Sequence, residues 1–472
     1  MEKVFFRPEN AYVGDFIPYF EDGEFKLFYL HGWRENYDPS KETGWFLLST
    51  KDFIDFKEHG ACKINGGTGS VIKKDDLYHM FFCEFPDNKQ LVCHAVSRDF
   101  VKWTKVEEDT FGPDEKLYEL TDWRDPHVFW NEEKKEYWML VAARAKCEGN
   151  RKGCVALCTS KNLNKWDIKP PMYSPNINVG AHECPDIFKI GDWWYLVYSA
   201  YTNRFGTYYR MSKSPEGPWI SPKVDTFDGR AFYAGKTGFD GQNTYIFGWN
   251  PTKTDNIFHW NPEGYKGNDY NTWDWGGNLV VHQLVQEADG ELSVKVPDTI
   301  YTKFNRIIPQ MFSPAIGKWD IEENKVKTKS EYSFSCALGG EMPNECRISG
   351  KLSFTNNTKE LGFLLRANSN VDKAYYFQLE PNRNRVIFAS HIMQSEEGGK
   401  TLPYEVELER PINLEPDKEY EVKIIVDNSI CEFYINDKVA MSTRIYDLKD
   451  GKWGVFVSEG EAQFRELILA VY

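Results

Sequence analysis

One short string recurs along the first half of the chain and constrains its fold more than any other feature. It reads Ser49-Thr50-Lys51-Asp52-Phe53 leading to Phe56, then Ser97-Arg98-Asp99-Phe100 leading to Trp103. It returns as Ser160-Lys161-Asn162-Leu163 leading to Trp166, and as Ser212-Lys213-Ser214-Pro215 leading to Trp219. Before each copy lie two apolar, strand-like runs joined by turn residues, such as Glu21-Asp22-Gly23, Asn131–Lys135 and Gly191-Asp192. A fifth, degenerate copy runs from Tyr233 through Asp240-Gly241 to Trp249 and closes near Trp275–Val285. Units of three or four antiparallel strands cannot bury both faces alone, and packing them around an axis hides their faces and most edges. The repeat predicts a five-bladed β-propeller. A two-sheet sandwich of hairpins is the rival, but it gives no reason for the recurring string.

The repeat stops near residue 300. Alternating runs at Gly350–Phe354, Tyr375–Leu379, Tyr420–Val426, Cys431–Ile435 and Lys452–Val457 predict a β-sandwich from 320 to 472. Residues 301–319, with Pro309 and Pro314, read as a linker, leaving 1–300 as the propeller.

The first strands of propeller blades line an axial funnel, so residues at their starts share one pocket. Asp15 after Gly14, Asp125 in Arg124-Asp125-Pro126 and Glu183 in Glu183-Cys184-Pro185-Asp186 stand at such starts. Ser70 and Lys236 take the matching places in the second and fifth units. One acid at a strand start is most often an ordinary loop or cap residue; three at repeat-related positions make a pocket of carboxyl groups. Glycoside cleavage uses two such groups, one ionised and one protonated, and crowding with desolvation drives their pKa values apart. Arg124 is placed to hold an acid ionised, or to form an ion pair inside its blade.

Composition agrees with a neutral, hydroxyl-rich ligand. Net charge is −14 without a basic block, which argues against nucleic acid or an anionic membrane as partner. The 16 Trp and 26 Tyr pack strands, and a few can stack on sugars. The ten Cys are scattered without CxxC pairs, and no metal-ligand spacing or cofactor motif occurs. The N-terminus lacks an apolar signal region and no apolar run reaches membrane-spanning length, so the expectation is a cytoplasmic protein using small, already imported substrates. Whether it oligomerises is left open.

At the three acids the chain resembles glycoside hydrolase family 32, the β-fructosidases. The resemblance rests on Arg124-Asp125-Pro126, Glu183-Cys184-Pro185, Thr68-Gly69-Ser70, Phe232-Tyr233-Ala234, Phe247-Gly248-Trp249 and the Trp45 that precedes Asp52. Cys431-Glu432-Phe433-Tyr434-Ile435 matches a strand of the family's second domain. The resemblance implies a retaining hydrolase of β-fructofuranosidic bonds, with Asp15 as nucleophile, Glu183 as general acid/base and Asp125 as transition-state stabiliser. Arg124, Trp45, Ser70, His31, Glu84, Tyr233, Lys236 and Trp249 are the candidate substrate contacts. His127, His182, Trp123, Trp273 and Trp275 are weaker ones. The family's Trp-Met-Asn-Asp-Pro-Asn-Gly signature is here Ala11-Tyr12-Val13-Gly14-Asp15-Phe16-Ile17-Pro18, so its Asn neighbours are missing. Leu30-His31 replaces a Gln and Ala231 replaces an Asp. Two rivals remain: an inverting furanosidase of the arabinosidase or xylosidase kind, and a carbohydrate-binding propeller without catalysis.

Overall fold

The computed structural model describes residues 4–9, 11–32, 44–254, 272–323, 325–390 and 408–472, and nearly all of them lie in or between β-strands. The chain divides into two compact units. The first holds residues 1–227, 232–251 and 275–292.

Its strands follow the repeat. The first set is β1 (Tyr12–Glu21), β2 (Glu24–Gly32), β3 (Gly44–Thr50) and β4 (Phe56–Ala61), and the second β5 (Gly67–Lys74), β6 (Leu77–Glu84), β7 (Leu91–Ser97) and β8 (Thr104–Lys105). Next come β9 (Tyr118–Asn131), β10 (Glu136–Ala145), β11 (Gly153–Ser160) and β12 (Asp167–Tyr173), then β13 (Glu183–Ile190), β14 (Trp193–Ala200) and β15 (Gly206–Ser212). The last set is β16 (Tyr233–Phe239), β17 (Thr244–Thr254) and β18 (Thr272–Gln286). Neighbours within each set pair, and β18 also pairs antiparallel with β1, which joins the last set to the first.

The recurring string is a local device that ends each third strand. Thr50 Oγ1 and Ser160 Oγ accept the backbone N–H of Phe53 (2.9 Å) and Leu163 (3.0 Å). The acid or amide between them, Asp52 or Asn162, accepts N–H groups one turn further on. Phe53, Phe100 and Leu163 all take a left-handed conformation, with φ of 63°, 62° and 73°. The following Trp then folds back: Trp103 and Trp166 donate their indole N–H to the carbonyls of Phe100 and Leu163. Thr50, not Ser49, is thus the equivalent of Ser97 and Ser160. Between sheets the packing is apolar, as where Phe28, Trp45 and Leu47 meet Met80, Phe82 and Cys93.

The second unit contains residues 228–231, 252–274 and 293–472. Its 20-residue strand Lys452–Val471 pairs with Lys325–Glu341, Glu345–Phe354 and Glu360–Ala367. The sheet curls into a sandwich-like form over a core that includes Ile348, Phe363, Phe377, Phe433 and Trp453. Residues 301–319 do not form the expected linker. They complete helix α1 (Asp298–Lys303) and supply strands Arg306–Ile308 and Ser313–Ile316, which pair with the strands ending at Val471 and Glu341. Pro309 and Pro314 are compatible with this because both strands are short and lie at sheet margins.

Candidate active site

The first strand of each set in the first unit, β1, β5, β9, β13 and β16, carries a bulge near its start. In β9 Arg124 pairs with Ala142 and His127 with Leu140, so two residues face one. The same slip separates Glu183 from Asp186, Tyr233 from Lys236 and Gly67 from Ser70, and β1 slips between Gly14 and Phe16. The bulged residues Asp15, Asp125, Cys184 and Ala234 have φ of 21°, 57°, 48° and 54°. Left-handed backbone at non-glycine residues costs free energy and clusters at functional sites, where it re-aims side chains.

The bulges sort the site into three tiers. Before the bulge stand Arg124, Glu183 and Tyr233, which are register equivalents on successive sheets. They touch. Arg124 Nη2 donates to Glu183 Oε1 at 2.7 Å, and the Tyr233 hydroxyl donates to Glu183 Oε2 at 2.5 Å. Arg124 is itself held by Asp122 at 2.5 Å and by Gln90 at 3.2 Å.

The middle tier is the bulge itself. Asp125 Oδ2 accepts the backbone N–H of Cys184 at 2.9 Å, and the Cys83 thiol points at its Oδ1. Asp15 accepts from the Thr68 hydroxyl on Oδ2 and from the Trp249 indole N–H on Oδ1, the latter at 2.9 Å. Below it, Ser70 Oγ accepts the Val128 N–H, His127 Nε2 lies 3.1 Å from Asp186 Oδ1, and Lys236 Nζ donates to the Pro185 carbonyl at 3.1 Å. In each tier, side chains reach from one sheet to the next.

The three acids therefore converge, close enough to perturb one another. Burial raises the pKa of Asp15 above the ordinary range; the bonds from Thr68 and Trp249 oppose this and the charge of Glu183 adds to it. Burial likewise raises Asp125, against the pull of Arg124. Glu183 is raised by burial first, then lowered by Arg124 and raised by Asp125. Three carboxyl groups raised above their usual range, one of them between a cation and a phenol, form a cluster in which protons can be held and passed on.

The structure corrects several expected contacts. Trp45 is wholly buried between two sheets, so it cannot meet a substrate. Ser70 and Lys236 are buried too and tie neighbouring strands together instead. Glu84 turns to Lys105 on the outer strand at 2.9 Å. Trp249 is buried and holds Asp15 rather than offering a stacking face. His182 and Trp123 are core residues, the first stacked on Tyr198 at 4.2 Å, and Trp273 is buried in the second unit. His31 is half-buried and stacked on Phe46 at 4.2 Å, and His127 belongs to the lowest tier. Thr68, which the sequence offers only as part of the Thr68-Gly69-Ser70 string, is the residue that donates to Asp15. The bulge places Thr68, and not Ser70, at the level of Asp15 and Asp125.

Two family models match the chain. Residues 6–280 match the model of the glycosyl hydrolases family 32 N-terminal domain, and residues 290–467 match the GH32, BT1760-like, C-terminal domain. The levanbiose-producing levanase of Bacillus subtilis (strain 168) is 22% identical over 500 aligned positions, covering 95% of this chain and 86% of that one. A sucrose-6-phosphate hydrolase of Vibrio alginolyticus is 28% identical over 172 positions, a third of each chain. Fructan 1-exohydrolase IIa from Cichorium intybus superposes over 99% of this chain and 98% of its own, with a TM-score of 0.72 at 14% identity. The all-β chain belongs to glycosyl hydrolase family 32.

Proposed function

We propose that the chain hydrolyses β-fructofuranosidic bonds of small fructosides, sucrose or fructo-oligosaccharides, with retention of configuration. The observation that carries the reading is Glu183 held by Arg124 and Tyr233 while Asp15 is held separately by Thr68 and Trp249. One acid is arranged for proton transfer and the other is fixed as an attacking carboxylate. Asp15 attacks the anomeric carbon as the glycosidic C–O bond breaks, and Glu183 gives its proton to the departing oxygen. Water then attacks the same carbon, losing its proton to Glu183, and Asp15 is released. Asp125, fixed by the Cys184 N–H, supports the positive charge that develops on the ring. Relatives named for levan, inulin and sucrose 6-phosphate support the substrate class.

The same reading takes the five innermost strands, β1, β5, β9, β13 and β16, as those of five blades around the acids, with the second unit as an accessory domain. The test is the anomer first released from sucrose, followed by NMR, together with D15N and E183Q. Retained β-fructofuranose and a loss of at least about a thousandfold in both variants are expected. Inverted product supports the arabinosidase-like alternative instead, and D15N keeping a tenth of the rate overturns the assignment.

A further inference from the structure

Residue 14 precedes the attacking acid and has no side chain, and the structure shows what stands in its place. A Cβ built on Gly14 would lie 2.2 Å from the six-membered ring of Trp275, and one on Gly32 would lie 3.2 Å from the same ring. The indole therefore rests against the backbone of both β1 and β2. β18 carries it there: Val13 pairs with Gly277, and the antiparallel run brings Trp275 back toward Asp15. Its ring lies 5.9 Å from that of Trp249, which donates to Asp15. Trp249 is buried, whereas Trp275 is only partly covered. The chain on the other side of Gly14 is apolar and buried at Ala11, Tyr12 and Val13.

We propose that Trp275 is a specificity-determining wall of the sugar subsite beside Asp15, admitting a furanoside whose edge there carries a C–H or a blocked hydroxyl where a polar wall would demand a free one. This rests on the functional reading above and narrows its substrate. An aromatic face covers C–H groups well but cannot replace the water stripped from a hydroxyl. A site built to hydrogen-bond a hydroxyl rejects the analogue lacking it by about 10⁴ or more, whereas an apolar wall barely distinguishes the two. Fructosides whose hydroxyl at that edge is already engaged in a second linkage would be admitted on the same ground.

The experiment uses the full chain with sucrose and its four analogues singly deoxygenated in the fructosyl unit, assayed with wild type, W275A, W275F and G14A. One deoxy analogue is expected to keep kcat/KM within about threefold of sucrose. W275A should lower kcat/KM for that analogue at least about tenfold, mostly through KM, with W275F intermediate. G14A should act like W275A because its methyl displaces the ring. Losses above about a hundredfold for all four analogues, or W275A within twofold of wild type, overturn the proposal. If wild type turns over none of the five, the hydrolase reading fails while the wall is still tested, by calorimetric titration with fructose and its deoxy analogues. Weaker binding to W275A than to wild type then supports it; equal binding, or none to either, overturns it.

Discussion

Arg124 and Glu183 occupy the same register position on neighbouring sheets and meet at 2.7 Å. The cation lowers the pKa of Glu183 against the larger opposing effect of burial. Arg124→Met removes that restraint, so Glu183 should hold its proton to higher pH. The alkaline limb of the pH–rate profile should move up, and kcat should fall about 10²-fold because less of Glu183 is ionised to take the proton of water in the second step and its carboxyl loses the donor that orients it. Tyr233→Phe, which removes the other donor to Glu183, should move the same limb in the same direction by less. Initial rates across pH check both.

The indole of Trp249 supports Asp15 through a 2.9 Å hydrogen bond. Its N–H bond favours the carboxylate form. Trp249→Phe should shift the acid limb upward, since Asp15 then ionises less readily, and should lower kcat about tenfold or more. A limb that does not move would mean that Trp249 only fills space.

The acids cost stability. Burial lifts Asp125 and Glu183 above their unfolded values, so between the unfolded and the folded pKa the native state binds the extra protons. Stability attributable to these groups is then highest at low pH and falls as pH rises through the folded pKa. Asp125→Asn and Glu183→Gln should therefore raise Tm at pH 7 by a few degrees while turnover collapses. Calorimetry beside the sucrose assay shows both.

A second titrating group lies away from the acids. His79 Nδ1 is 2.9 Å from His94 Nε2, and His94 Nδ1 is 2.7 Å from Asp109 Oδ2, which also accepts from Asn164. Phe81 stacks on His94, while Lys74 and Asp75 act on His79 with opposite sign. Burial pushes His79 down to about 4 from 6.5 and lowers His94 despite the pull of Asp109. Unfolded rings take up protons first as pH falls, so stability should drop from pH 6.5 toward 4. His79→Phe should flatten that slope by about one proton, up to about 1.4 kcal/mol per pH unit. Denaturant titrations at stepped pH measure it.

The three acids were legible because chemistry restricts the residue type at each place, and their spacing followed the repeat. The strands of the second unit were legible from alternation, since Tyr375–Leu379 and Cys431–Ile435 both fall within strands. Bulges were not, because an extra residue leaves no mark in composition yet changes which residues are neighbours. Glu183 thus looked equivalent to Asp125, when its equivalents are Arg124 and Tyr233. Trp45 and Trp249 misled for another reason. An indole that packs a core and one that meets a sugar are the same residue in the sequence, and only burial separates them.

The tiers also bear on how such a site can be redesigned. Four of the polar links around the acids run from one sheet to its neighbour: Arg124 to Glu183, Tyr233 to Glu183, Thr68 to Asp15, Cys184 to Asp125. A library that randomises one strand at a time alters one half of several such joints and leaves the other half waiting for the old partner. Variation drawn in matched pairs across the seams, Thr68 with Asp15's surroundings or Gly14 together with Trp275, searches the combinations that this architecture can accept.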